Sequence, residues 1–307
     1  MNATAALARS ITRHSSRQTY YTAQLLVDRD LVDDCYRAYG YFRWADDVVD
    51  RPASSDGPSQ SNDKGISFIR RQKELIDCLY ENGRPKDLTP EEEILADLIS
   101  HHDGNGENSG LESFIRNFLA ILEFDSYRKG QLISEHELTW YSDCLGRAVT
   151  DCIQYFIGNG HPYPDGENRY LGATAAHITH MLRDMVSDTA DGYINIPREY
   201  LEAHSISPAD VDSPAFRSWV RGRVEEAREY FRDGKRYLDQ LDVLRCKIAG
   251  FWYCARFEGV LDAIERDGYL LRAQYNERRK LPTWLKMAWL GVSATFRHLA
   301  RRRRRDS

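Results

Sequence analysis

The chain has 307 residues, 42% hydrophobic and 29% charged, a composition that excludes a disordered protein and allows a large core. A formal net charge of −5 excludes a nucleic-acid binder held by bulk electrostatics. Ten prolines, most of them between periodic apolar segments, favour helices over a many-turned β fold, and single-core folds of this length exist.

In chain order, residues 1–14 read as an N-terminal tail, too weakly apolar for a secretory signal. From Thr19 to Asp50 the sequence is periodic, apolar and rich in aromatics, which predicts two helices broken near Asp28 to Asp30. Pro52 to Lys64, rich in Ser, Asp, Gly and Pro, reads as a surface loop. A helix with a polar face follows over Ile66 to Asn82, and Thr89-Pro90-Glu91-Glu92 is a helix start, with a capping residue and Pro at the first helical position. After a second loop, His102 to Gly110, helices are expected over Leu111 to Tyr127 and Glu135 to Ile157. Gly158 to Pro164 breaks the pattern, which resumes over Tyr170 to Thr189 and stops at Gly192 to Pro197. Two long helices, Pro214 to Gln240 and Val243 to Asp267, precede an amphipathic, basic helix over Pro282 to Arg302, and the run Arg301 to Arg305 lies at its end. No strand pair and no internal repeat is visible. The fold class read from this is all-α.

The six cysteines, at 35, 78, 144, 152, 246 and 254, form neither a CxxC pair nor a zinc pattern; they read as reduced core thiols of a cytoplasmic protein. No run of about eighteen apolar residues spans a bilayer. No glycine-rich dinucleotide fingerprint is present, so bound NADPH is not predicted.

The chemistry concentrates in two places. In Trp44-Ala45-Asp46-Asp47-Val48-Val49-Asp50, Asp46 and Asp50 are four apart, on one helix face and roughly 6 Å apart at Cβ. Two such carboxylates repel unless a cation bridges them. Mg²⁺ suits the arrangement because it takes oxygen ligands, keeps waters and bridges to substrate phosphates. Asp47 points elsewhere and reads as support. Asp184 and Asp188 repeat the spacing, with Arg183 beside them as a partner for a phosphate oxygen. Alone, each pair also reads as a solvated helix face. Both, however, sit in apolar, aromatic segments, where carboxylates are costly unless paired or metal-bound. Two such pairs facing across a helical bundle would hold a diphosphate through Mg²⁺.

The segment Ser16 to Asp50, SRQTYYTAQLLVDRDLVDDCYRAYGYFRWADDVVD, resembles the opening of squalene and phytoene synthases. Ser16-Arg17-Gln18-Thr19, Tyr39-Gly40-Tyr41-Phe42-Arg43 and Asp46-Asp47-Val48-Val49-Asp50 stand where the family has a Ser-Lys-Ser-Phe-like stretch and a Tyr-Ala-x-x-Arg-x-x-Asp-Asp-x-x-Asp helix. HITHMLRDMVSDTADGYINIPREYL, from His177, is similar to the Asn-x-x-Arg-Asp-x-x-x-Asp helix and its Gly-x-x-x-x-Pro-Arg-Glu exit. Glu258 to Gly268 with Leu281 to Trp284 looks like the C-terminal part of phytoene synthases. The resemblance implies an isoprenoid-synthase helical bundle, a single domain with a central cavity, and a catalytic part over residues 15–280. It implies Mg²⁺, with Mn²⁺ as an alternative, on Asp46, Asp50, Asp184 and Asp188, and diphosphate contacts from Ser16, Arg17, Tyr39, Arg43 and Arg183. The reaction implied joins two prenyl diphosphates, geranylgeranyl or farnesyl, head to head through a cyclopropyl intermediate.

Some residues depart from that pattern. His180 replaces the usual Asn, and Tyr193 and Asn195 stand where the family often has Arg and Tyr. After Tyr141, Arg147 and Thr150 replace glycines that make room for a chain. These changes make Tyr141, Arg147, His177, His180 and Asn195 candidate cavity residues, while His177 and His180 also read as satisfied core histidines, and Arg147 as a helix-surface charge. They keep two rival readings open: transfer of one prenyl group to another acceptor, such as an aromatic one, and a non-catalytic assembly or lipid-binding relative. Residues 281–307 read either as a helix packed on the bundle with a free tail or as a peripheral membrane contact. A monomer and a homodimer are both compatible with the chain.

Overall fold

The computed structural model describes residues 3–50, 58–81, 83–102, 110–158, 160–277 and 281–305. Among these residues there are twelve α-helices, two short 3₁₀ turns and no strand, so the all-α reading holds. The chain divides into two compact units, Met1–Tyr127 with Tyr155–Asn159, and Arg128–Gln154 with Gly160–Ser307.

The first unit carries α1 (Ala3–Ser15), α2 (Arg17–Leu26), a 3₁₀ turn (Arg29–Leu31), α3 (Val32–Val49), α4 (Pro58–Glu81), α5 (Pro90–Ser100) and α6 (Gly110–Arg128) as far as Tyr127. The predicted tail is a helix instead. Ala5, Ala8 and Thr12 are buried on one side of α1, and a Cβ on Gly40 of α3 would lie 3.1 Å from the Ala8 Cα. Small residues carry little hydrophobic signal, yet they allow helices to approach closely, which is why periodicity overlooked α1. A buried polar network closes the same region. Thr4 donates to Asp97 at 2.6 Å, Arg37 donates to Asp34 at 2.5 Å, and His101 and His102 each lie 3.1 Å from an Asp34 oxygen.

The expected break at Asp28 to Asp30 is present between α2 and α3. The Thr89 start of α5 is a full capping box with Pro90 at its head: the Thr89 hydroxyl accepts from the Glu92 amide while the Glu92 carboxylate accepts from the Thr89 amide. The loop expected over Pro52 to Lys64 does not hold from Pro58 on, where α4 begins; Pro at a helix start is favoured since its missing N–H would go unbonded there anyway. Residues 51–57 and 103–109 lie outside the described residues.

The second unit carries α7 (Glu135–Phe156) as far as Gln154, a 3₁₀ turn (Glu167–Arg169), α8 (Leu171–Ala190), α9 (Arg198–His204), α10 (Pro214–Gln240), α11 (Leu244–Arg266) and α12 (Leu281–Arg305). The short α9 was not foreseen; it follows Pro197 and ends at Ser205 with φ 51°. Helix α8 packs against α10 and α11. Glycine sets the α8–α10 approach, since a Cβ on Gly234 would lie 2.4 Å from the backbone nitrogen of Gly172. At Gly192, φ is +92° and the carbonyl accepts from the Gly130 amide at 2.7 Å, which ends α8 as the sequence suggested. Helix α12 packs on α11.

Candidate active site

In the first unit, Tyr39, Arg43, Asp46 and Asp50 follow one another at helical spacing along α3, with Asp50 capping its C-terminal end. Arg43 lies 3.1 Å from Asp46 and also pairs with Asp47, so its guanidinium is held by its own motif. The Asp46 carboxyl is pushed up to about 7, first by burial and then by the charges of Asp50 and Asp125. Asp125, on α6, is a third carboxylate near this face that motif reading missed. Its signal was an acid next to the buried Phe124. Tyr39 is half-buried and its phenol is held above its ordinary value by that burial; it shares a hydrogen bond with Ser16. Ser16 also caps α2, accepting from the Thr19 amide at 3.2 Å. Arg17 is exposed at the first position of α2.

In the second unit the motif is wired differently. Arg183 is buried and donates through Nε to Asp184 at 2.5 Å, with a second bond from Nη2. His180 Nε2 lies 2.9 Å from Asp184 Oδ2, the oxygen that also accepts from Arg183 Nη2. Burial opposes ionisation of Asp184, but the bonds from Arg183 and His180 outweigh it and hold the carboxyl well below the usual range. Asp188 accepts from Asn195 Nδ2 at 3.1 Å, and Asn195 Oδ1 accepts from Arg128 at 2.8 Å. Arg128 in turn stacks over Tyr141 at 4.7 Å and Tyr193 at 5.1 Å.

The two histidines separate. His180 is exposed and ion-paired, so it is not a core histidine. His177 is a core residue with its ring 4.9 Å from that of Tyr141, but it is not satisfied: neither ring nitrogen has a hydrogen-bond partner among the described residues. Burial, together with the charges of His180, Arg128 and Arg223, keeps His177 neutral. Arg183 Nη1, Arg223 Nη2 and Arg256 Nε are likewise buried without a partner. Such donors suit an anion, and the carboxylates of both motifs suit a hard divalent cation. Among the described residues no three carboxylate, imidazole or thiol groups converge tightly enough to hold a metal by themselves; Mg²⁺ ordinarily completes its shell with water and substrate phosphate.

Arg147 is exposed and stacks over Tyr170 at 4.7 Å, the helix-surface alternative. Thr150 lines a cavity of about 40 Å³ with Gly172, Gly234, Tyr237 and Cys254.

Residues 12–285 match the family described as squalene/phytoene synthase. The 15-cis-phytoene synthase of Synechocystis is 26% identical over 94% of this chain and 83% of its own length. The solved squalene synthase HpnC from Alicyclobacillus acidocaldarius superposes with a TM-score of 0.66 at 21% identity, over 88% of this chain and 95% of that one. A dehydrosqualene synthase structure gives 0.66 at 14% identity, over 95% of each chain. The structural likenesses show the fold.

Proposed function

The chain belongs to the squalene/phytoene synthase family, and we propose that it joins two prenyl diphosphates head to head with loss of diphosphate, using the Asp46/Asp50 and Asp184/Asp188 motifs. It is a prenyltransferase by that membership. The observation that carries the assignment of site residues is the crowding at Asp46, whose carboxyl stands at about 7 beside Asp50 and Asp125. Burial and like charge raise it, and a divalent cation would relieve both.

Asp46, Asp50, Asp184 and Asp188 would hold Mg²⁺, with Mn²⁺ as an alternative, and the metal supplies charge withdrawal from the leaving diphosphate. The remaining work belongs to side chains of the chain itself. Arg183 fixes Asp184 as an anion while its Nη1 stays free to donate to a phosphate oxygen. Tyr39, protonated at neutral pH, donates from the α3 stripe, with Ser16 beside it. Arg43 and Arg17 add charge to the same end of the first unit. Neutral His177, with Tyr141 against it, offers a polar contact that carries no competing charge. In the reaction, the first substrate's C–O bond breaks with loss of its diphosphate, the double bond of the second attacks the allylic cation and a proton leaves to close a cyclopropane, and loss of the second diphosphate then leads to the hydrocarbon. Aromatic side chains keep water from that cation.

We assign catalysis to residues 15–280 and a membrane-surface role to residues 281–307. All six cysteines are free thiols, which supports a cytoplasmic setting. No helix among the described residues is long and apolar enough to cross a membrane.

The test is incubation with C10, C15 and C20 prenyl diphosphates singly, with Mg²⁺, followed by mass spectrometry. One diphosphate alone should yield a hydrocarbon of twice its chain length, and Asp46→Asn or Asp184→Asn should abolish diphosphate release. Consumption only when a second acceptor is added would replace coupling with single-prenyl transfer. Full biological activity of the two Asn variants would favour the non-catalytic reading.

A further inference from the structure

Helix α12 has two faces of opposite character. Met287 and Ala294, with Gly291 and His298 between and beyond them, are buried on one side. Gly291 lets the Trp252 indole approach, and Trp252 Nε1 donates to the Met287 carbonyl at 2.8 Å. Lys286 reaches Glu258 at 3.0 Å, and Arg297 reaches Asp239 at 3.2 Å. The helix is therefore fixed on α11.

The other side is bare. Leu285, Trp289, Val292, Phe296 and Leu299 are exposed at 62, 68, 57, 70 and 50%. Their spacing of four, three, four and three residues places all five on one stripe. It spans fifteen residues, about 21 Å over fourteen steps of about 1.5 Å. Scattered exposed apolar residues are ordinary, whereas a contiguous stripe with two large aromatics marks a contact. Arg303, exposed and four residues beyond Leu299, continues the stripe and belongs to the five-arginine run Arg301 to Arg305.

We propose that α12 lies in the plane of an anionic lipid surface, with the five-residue stripe among the acyl chains and the arginine run on the headgroups. The charge decides the occupant. A chain of net charge −5 ends this helix in five consecutive arginines, of which Arg303 continues the stripe and Arg301 also donates to the Asp239 carbonyl, and that charge is complementary to anionic headgroups. A second copy pairing in parallel would bring two arginine runs together, which like-charge repulsion opposes. The proposal rests on the functional reading above in one respect: a hydrocarbon product needs an apolar phase to enter, and the stripe would bring the enzyme to one.

The full chain is floated with vesicles of phosphatidylcholine alone and of phosphatidylcholine with one-third phosphatidylglycerol, at 0.05 and 0.5 M salt. Binding should be at least tenfold stronger to the phosphatidylglycerol vesicles and weaken at high salt. Trp289→Gln with Phe296→Gln should reduce it at least tenfold, and replacing Arg301 to Arg305 by Gln should remove the preference for anionic lipid. Trp289 and Phe296 are exposed, and unchanged thermal unfolding of each variant checks its fold. Binding to phosphatidylglycerol vesicles no stronger than to phosphatidylcholine, or equal binding by W289Q/F296Q, overturns the proposal. So does a concentration-dependent dimer that W289Q/F296Q abolishes. Diphosphate release in detergent solution without vesicles separates this from the functional reading. If the wild type releases diphosphate but does not bind vesicles, only the lipid assignment fails; if it binds vesicles but turns over no prenyl diphosphate, only the functional reading fails.

Discussion

Asn195 joins Arg128 to Asp188: its carbonyl oxygen accepts from the guanidinium at 2.8 Å and its amide donates to the carboxylate at 3.1 Å. One fully buried side chain thus orients the last carboxylate of the second motif and occupies a cation that would otherwise pair with it directly. Asn195→Leu keeps the approximate volume and deletes both bonds. Removing the outer partner of a metal-binding carboxylate ordinarily costs 10–100-fold in metal affinity or activity. The Mg²⁺ concentration for half-maximal diphosphate release should therefore rise at least about tenfold, with a smaller change in the affinity for substrate. An unchanged Mg²⁺ dependence would show that Asp188 needs no such support.

Asp46 makes the metal dependence sensitive to pH. Its carboxyl is raised to about 7, so between pH 6 and 7 a proton competes with the cation for it. Apparent Mg²⁺ affinity should climb by up to about tenfold per pH unit below 7 and level off above it. The sign for stability is opposite. The fold holds this proton more tightly than the unfolded chain does, so without metal it loses stability as pH rises from about 4 through 7. Calorimetric titration at pH 6, 7 and 8, with and without Mg²⁺ in the unfolding scans, reads both effects. A flat pH profile would mean that Asp46 titrates as an ordinary carboxylate.

How legible this site was in the sequence depends on distance along the chain. Asp46 and Asp50, or Asp184 and Asp188, are four residues apart, and one helical turn brings each pair onto one face. The Thr89 capping box and the glycine stop at Gly192 were readable for the same reason. Asp125, Arg128 and Arg223 were not, because their relevance depends on which helix lies beside which, and no local pattern encodes that. His180 was misjudged for a related reason: its apolar neighbours suggested burial, whereas its own position points it outward to Asp184. Helix α1 escaped because alanine and threonine carry little apolar signal, and only the facing Gly40 gives their size a meaning.

Glu92 should govern acid stability. It is buried and bonded by Arg71, Gln72 and the Thr89 amide. Burial opposes its ionisation, yet these bonds bring its carboxyl down from 4.5 to about 2. The stabilisation is complete above pH 4.5 and is lost as pH falls toward 2. The shift alone corresponds to about 3 kcal/mol, and solvent screening of the half-exposed Arg71 reduces that to roughly 1–2 kcal/mol. Glu92→Gln should lower stability by this amount at pH 7 and flatten the acid limb between pH 4.5 and 2. Chemical denaturation across that range checks it.

Gly234→Ala tests the α8–α10 approach. The added carbon would fall 2.4 Å from the Gly172 nitrogen and 2.6 Å from its Cα, and backbone cannot rotate away as a side chain can. Overpacking of this kind costs 1–3 kcal/mol or more, so the unfolding midpoint should drop by several degrees. Gly222→Ala on the same helix, with nothing within 4 Å of its added carbon, should be neutral or slightly stabilising.

The ion pairs that Arg43 and Arg183 make with their own motifs also bear on the order of assembly. Each guanidinium offsets the charge of aspartates that we propose as metal ligands. A cation held by those aspartates would take over part of that neutralisation, leaving the Arg43 guanidinium and Arg183 Nη1 to a phosphate oxygen. On the proposed reading, metal and diphosphate would favour one another's binding, and once the diphosphate leaves, the arginine–aspartate pairs would again offset the aspartate charge.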